Sequence, residues 1–114
     1  MRQTEEVLRD HLQKRKDGKV DADIATNYSR EAIILSGSGE YRGHQGAKQS
    51  ADLLSKELGE SRFFYKQLLV RGNFGFLEWS AEGEKATIGD GADSFFVQNG
   101  VIIFQSIHYT TQPK

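Results

Sequence analysis

The chain has 114 residues, enough for one domain with a single modest core. Fifteen Lys and Arg against sixteen Asp and Glu leave a formal charge of −1, which gives no electrostatic footprint for nucleic acid. The absence of cysteine excludes disulfides and thiol chemistry, and no apolar run approaches membrane-spanning length.

The opening MRQTEEVLRDHL is too charged for the apolar core of a signal peptide, so a cytoplasmic protein with no membrane partner is expected. Thr4 can cap a first helix, with Glu5 and Glu6 in the opening turn, where the helix dipole favours anions. Val7, Leu8, His11 and Leu12 share one face of it, and Gly18 ends it. The basic run Lys14, Arg15 and Lys16, flanked by Asp10 and Asp17, reads as a solvated helix end. Asp21 is placed to cap a short second helix with Ile24, Ala25 and Tyr28 inward. AIILS (32–36) is a strand, and GSGEYRG a glycine-punctuated turn with a short strand. A third helix runs from about His44 to Leu58, with Ala47, Ala51, Leu54 and Leu58 along one stripe and Gly59 as its C-terminal cap. Four long strands follow, at 62–72, 73–83, 85–98 and 101–111. Helices first and an antiparallel meander afterwards indicate an α+β domain spanning 1–114, with helices on one face of a sheet.

The strands are apolar on both faces. Over 101–109, one side carries Val101, Ile103, Gln105, Ile107 and Tyr109, the other Ile102, Phe104, Ser106 and His108. A sheet with one wet face alternates more cleanly. A second copy is the simplest cover for the other face in so short a chain, so a homodimer is expected. The turn VQNGV leaves the last hairpin's register open. A two-residue Asn99-Gly100 turn puts Asp93 on the face of Ser106 and His108; a three-residue loop with a left-handed Gly100 puts it beside Gln105, Ile107 and Tyr109.

Helix, helix, strand, YRG into a third helix, then four long strands resembles the nuclear transport factor 2-like superfamily. Within it the chain is most similar to SnoaL-like proteins. The landmarks are DGKVDADIATNYSREAIIL, YRGHQG and DSFFVQNGVII. The resemblance implies a curved antiparallel sheet forming a cone, three helices from the N-terminal half enclosing an internal apolar pocket, and a dimer. It favours the three-residue hairpin loop. In ketosteroid isomerases of this fold an aspartic acid donates a hydrogen bond to the developing oxyanion, and Asp93 falls at that position. Tyr28 matches a tyrosine lining that pocket, and His11 falls near the isomerase's phenol. The proton-shuttling base falls at about Ser36, which cannot serve as one. The His–Asp pair of SnoaL cyclases maps to Asp93 and Ile107, and the Asp-Arg-Asp set of the epoxide hydrolase has no counterpart.

Asp93 and His11 are therefore the candidate catalytic groups, read either as an acid–base dyad or as a turn carboxylate and a carbonyl-bonded histidine. Tyr28, Tyr65, Trp79, Gln105, Tyr109 and His108 are the candidate ligand-binding residues, with core packing as the alternative for the aromatics. Glu78 stays open between interface and pocket. Asp90 reads as the turn residue of GDGA, and His44 as a first-turn residue of the third helix. Three scattered histidines carry no metal-ligand spacing, and no metal or cofactor is expected. The function expected is small-molecule binding, with isomerase, dehydratase or cyclase-type proton transfer on a small apolar substrate. The alternatives are a non-catalytic binder and a protein-interaction module.

Overall fold

The structure is a computed structural model and describes residues 1–114. Three helices, α1 (Thr4–Lys16), α2 (Val20–Asn27) and α3 (Gly43–Leu58), are interleaved with seven strands. These are β1 (Tyr28–Ser36), β2 (Gly39–Arg42), β3 (Ser61–Arg71), β4 (Phe74–Gly83), β5 (Ala86–Gln98), β6 (Val101–His108) and β7 (Thr111–Pro113). They form one curved, unclosed sheet in the order β2-β1-β6-β5-β4-β3, with β7 against the start of β5. Every pairing is antiparallel except β1 with β6, so the sheet is mixed where an antiparallel one was expected.

Local chemistry corrects some predicted boundaries. Thr4 is the first helical residue of α1 and Gln3 the cap, its N–H donating to the Glu6 carboxylate at 2.9 Å. Lys19 occupies the cap position of α2; Asp21 sits in the first turn and ion-pairs with Lys48 at 3.0 Å. Tyr28 begins β1 instead of ending α2. His44, in the first turn of α3, has Nε2 2.7 Å from the Tyr28 carbonyl, tying that helix to the start of β1. The last predicted strand divides in two. Thr110 N–H donates to Asp90 Oδ1 at 2.8 Å, and the chain then pairs back onto Ala86–Ile88 as β7.

The curvature comes from bulges, where one strand carries an extra residue. Tyr65 opposes Trp79 and Gln67 opposes Glu78, leaving Lys66 extra. Trp79 opposes Gly91 but Ala81 opposes Ile88, so Gly89 and Asp90 bulge inside β5. GDG is therefore a bend within one strand, and Asp90 is no turn residue. The third bulge lies in the final hairpin. Asn99 (φ 55°) and Gly100 (φ 77°) form a two-residue turn, with Gln98 opposite Val101 and Val97 opposite Ile102. Ile103 is then extra, and Phe95 opposes Gln105 while Asp93 opposes Ile107. The turn is that of the first alternative; the face presented by Asp93 is that of the second.

The helices pack on the concave face. Leu8 of α1, Ile34 of β1, Leu77 of β4, Phe95 of β5 and Ile102 of β6 are almost wholly buried there. The outer face behaves differently. The row Leu69, Phe76, Ser94, Ser106, Leu35 crosses five strands, and Arg71, Phe74, Phe96, Phe104, Ile33 runs beside it. Phe74 is 62% exposed and Leu69 54%. Glu78 lies on this outer face and is exposed, which excludes it from the pocket.

Candidate functional site

Two buried polar networks meet under the helices. The first is built on β5. Asp93 is 7% exposed, with Oδ1 accepting the Trp79 indole N–H and Oδ2 the Gln105 amide N–H, each at 3.0 Å. Gln105 Oε1 in turn accepts a hydrogen bond from the Tyr28 hydroxyl. Burial pushes Asp93 up to about 6, against the pull of Trp79 and Gln105 and the more distant positive influence of His11 and Arg15. Trp79 reaches the carboxylate because Gly91 is its cross-strand partner. A Cβ at Gly91 would collide with the indole ring.

The second network joins α1 to α2. Asp23 is fully buried; its Oδ2 receives His11 Nδ1 at 2.8 Å and Arg15 Nε at 2.6 Å, and its Oδ1 receives the Asn27 amide at 2.8 Å. A carboxylate only accepts, so His11 Nδ1 carries the proton. Burial alone would raise Asp23, but His11, Arg15 and Asn27 together outweigh it and hold the carboxyl below its ordinary range. The Asn27 amide also donates to Asp10 at 2.9 Å, and Arg2 reaches both Asn27 and the Gly100 carbonyl.

Beside these networks lies a cavity of about 30 Å³ between α3 and the sheet, room for roughly two waters. Its polar wall includes Arg15, Tyr28, Ser50 and Gln105; Ala47, Ala51 and Leu54 form much of its apolar wall. Ile107 and Tyr109 separate it from a groove of about 340 Å³ that includes Ser36, Glu57 and His108. The Tyr109 hydroxyl donates to Glu57 Oε1 at 2.6 Å, closing this wall. No cluster of three or more His, Asp or Glu side chains is arranged to hold a metal ion.

The predicted residues are thus partly brought together. Asp93, Trp79, Gln105 and Tyr28 form one chain of hydrogen bonds, and Tyr109 stands near it, its ring 5.9 Å from that of Trp79. Tyr65 pairs with Trp79 across the strands, half-buried, and burial raises its hydroxyl to about 12. His11 is buried and edge-on to Tyr28 and Phe95, but its hydrogen bond goes to Asp23 and not to Asp93. The His108 side chain is 70% exposed, 3.5 Å from Asp90. Arg15, Asp23 and Asn27 were not predicted. The available signal was spacing: His11 and Arg15, like Asp23 and Asn27, lie four apart on helices, facing each other. Arg15 is accordingly turned inward, contrary to a solvated helix end.

No protein-family profile and no curated protein matches the sequence. Solved structures do match in shape. An NTF2-like protein of unknown function from Burkholderia pseudomallei superposes with a TM-score of 0.80 at 12% identity, covering 96% of this chain and 92% of that one. TerC, co-crystallised with polyporic acid, gives 0.78 at 15%, over 94% and 91%. A protein provisionally named a polyketide cyclase, from Sinorhizobium meliloti, gives 0.75 at 13%, over 90% and 93%. At these identities the likeness is one of fold, and the chain has the nuclear transport factor 2-like, SnoaL-like fold.

Proposed function

We propose that the protein binds a small molecule at the cavity walled by Arg15, Tyr28 and Gln105, with the Asp93 network setting the hydrogen bonds offered to it. The observation that carries this reading is the chain from Tyr28 through Gln105 to a buried carboxyl. Its outermost members line the cavity while its innermost is shielded from water. Both oxygens of Asp93 are occupied, and His11 and His108 do not line the cavity. A proton-transfer enzyme needs a base within reach of its substrate. Binding is therefore preferred to catalysis as the primary reading. Occupants larger than two waters require Tyr109 and Ile107 to move apart from α3, joining cavity to groove.

The test is an NMR fragment screen that follows the methyls of Ala47, Ala51 and Leu54 and the indole N–H of Trp79. Fragments of one or two rings are expected to shift these signals together. A screen that moves only surface resonances would overturn the reading.

Catalysis of the isomerase, dehydratase or cyclase type is the second reading, supported by a carboxyl poised at about 6. It requires a bound carbonyl fragment to exchange its α-hydrogen with deuterated solvent faster than in free solution, and Asp93→Asn to abolish the excess. Exchange at the solution rate would leave binding alone.

We also propose that the exposed outer face pairs with a second copy. Leu35, Phe64, Leu69, Phe74 and Phe76 are exposed apolar side chains of a face that runs across several strands. Patches of this kind mark interaction sites. Light scattering is expected to give a dimer mass, and Phe76→Lys to weaken dimerisation more than roughly tenfold. A monomer at high concentration would refute the arrangement.

A further inference from the structure

Arg15 has more hydrogen-bonding capacity than the fold uses. Its Nε donates to Asp23, while neither Nη group has a protein partner. A guanidinium offers five N–H donors in a flat fork whose edges match a carboxylate. Arg15 is the only charged residue lining the cavity, and Tyr28 and Gln105 supply polar groups beside it. Asp23 does not fully occupy it, because that carboxylate also serves His11 and Asn27 and meets only the Nε edge of the fork.

We propose that the inner cavity recognises an organic anion, a carboxylate or ionised enol, whose oxygens lie against the Nη groups of Arg15 while its apolar body rests on Ala51 and Leu54. This rests on the ligand-binding reading above and gives the class of ligand.

The Gln105 relay couples such binding to a proton. With Asp93 ionised, Gln105 must present its N–H₂ to the carboxylate and its oxygen to Tyr28. The Tyr28 hydrogen is then spent on Gln105, and only lone pairs face an arriving anion. Protonating Asp93 on Oδ2 allows the amide to turn over. The carboxylic acid donates to Gln105 Oε1, Gln105 Nε2 donates to Tyr28, and the Tyr28 hydroxyl is released to donate to the ligand. Besides its hydrogen bonds from Trp79 and Gln105, the titratable or charged groups acting on Asp93 are His11 and Arg15 from α1; Asp93 in turn acts on Tyr28, Tyr65 and Tyr109. Among these Arg15 alone is permanently charged, so an anion that neutralises it removes support for the Asp93 carboxylate. Above about pH 6, where free Asp93 is ionised, binding therefore takes up one proton.

Benzoate and benzamide, alike in shape and different in charge, test this on the whole protein. Binding is followed through the Ala47 and Ala51 methyls. Benzoate is expected to bind about tenfold more tightly than benzamide at pH 6. Its affinity should fall by about tenfold per pH unit above that. Arg15→Gln should erase the preference, Arg15→Lys retain part of it, and Asp93→Asn flatten the pH dependence. Equal binding of the two probes, or a benzoate preference that survives Arg15→Gln, overturns the anion site while leaving ligand binding intact. Failure of both probes to move the methyls overturns both. If Arg15→Gln does not fold, the comparison of the two probes on the unaltered protein still decides.

Discussion

Asp23→Ala is expected to destabilise the fold by about 3 to 5 kcal/mol, a large share of the total for a domain of this size. The carboxylate is fully buried and receives three donors from three side chains. Removing it leaves the Arg15 charge without its closest counter-ion and strands the His11 N–H and one of the two Asn27 amide N–H groups, the other staying on Asp10. Asp23→Asn is expected to cost nearly as much, because an amide turns one N–H₂ group toward donors that need an acceptor. Asp10, about one-third exposed and paired with Lys14 at 2.6 Å, is the control; Asp10→Asn should cost under about 1 kcal/mol. Urea unfolding at pH 7 measures all three. A loss below about 1 kcal/mol for Asp23→Ala would mean that the helix pair is held by its apolar contacts alone. Acid should act in the same direction. Because Asp23 is held below its ordinary range, its stabilisation is complete above about pH 4 and is lost as the pH falls through the lower folded value.

Much of the architecture was legible because its signals are periodic or local. The α3 stripe and Gly59, which takes φ 72° at the C-cap, and the long strand spacings follow from such signals. The hairpin shows where this fails. Asn99-Gly100 correctly specifies a two-residue turn, yet Ile103 inserts three residues later and reverses which face meets Asp93. Nothing in VIIF distinguishes a bulge from a regular strand, since all four residues are apolar. The GDG bend misled for the complementary reason. Gly91 reads as a turn residue, but it is needed because an indole lies across it, a fact set by a partner twelve residues away. The site was legible residue by residue and not as a set. Asp93 and Gln105 are polar positions in apolar strands, which marks them. The choice of His11's partner between Asp93 and Asp23 depends on how two helices cross, and no spacing within either helix decides that.

Asp93→Asn is expected to make the protein more stable at pH 7, by about 1 to 3 kcal/mol, and to leave it level with the unaltered chain below about pH 4. An unfolded aspartate titrates near 4, whereas burial moves the folded Asp93 to about 6. Between those values the folded chain holds a proton that the unfolded chain has released, so stability falls as pH rises through that window and no further above it. Two pH units correspond to about 3 kcal/mol. An asparagine has nothing to titrate, and it fits the network once Gln105 turns over. Its oxygen accepts from Trp79, its N–H₂ donates to Gln105, and Gln105 donates to Tyr28. Urea unfolding at pH 4, 5, 6 and 7 gives the difference curve, from which Asp10, Asp23 and Asp90 cancel because both proteins contain them. If the unaltered protein proves the more stable at pH 7, the carboxylate is held ionised by its donors and serves the fold. A gain in the variant means that the chain keeps a carboxyl where a neutral amide would fold better. The reason for Asp93 must then lie in what the cavity binds and in the proton that accompanies it.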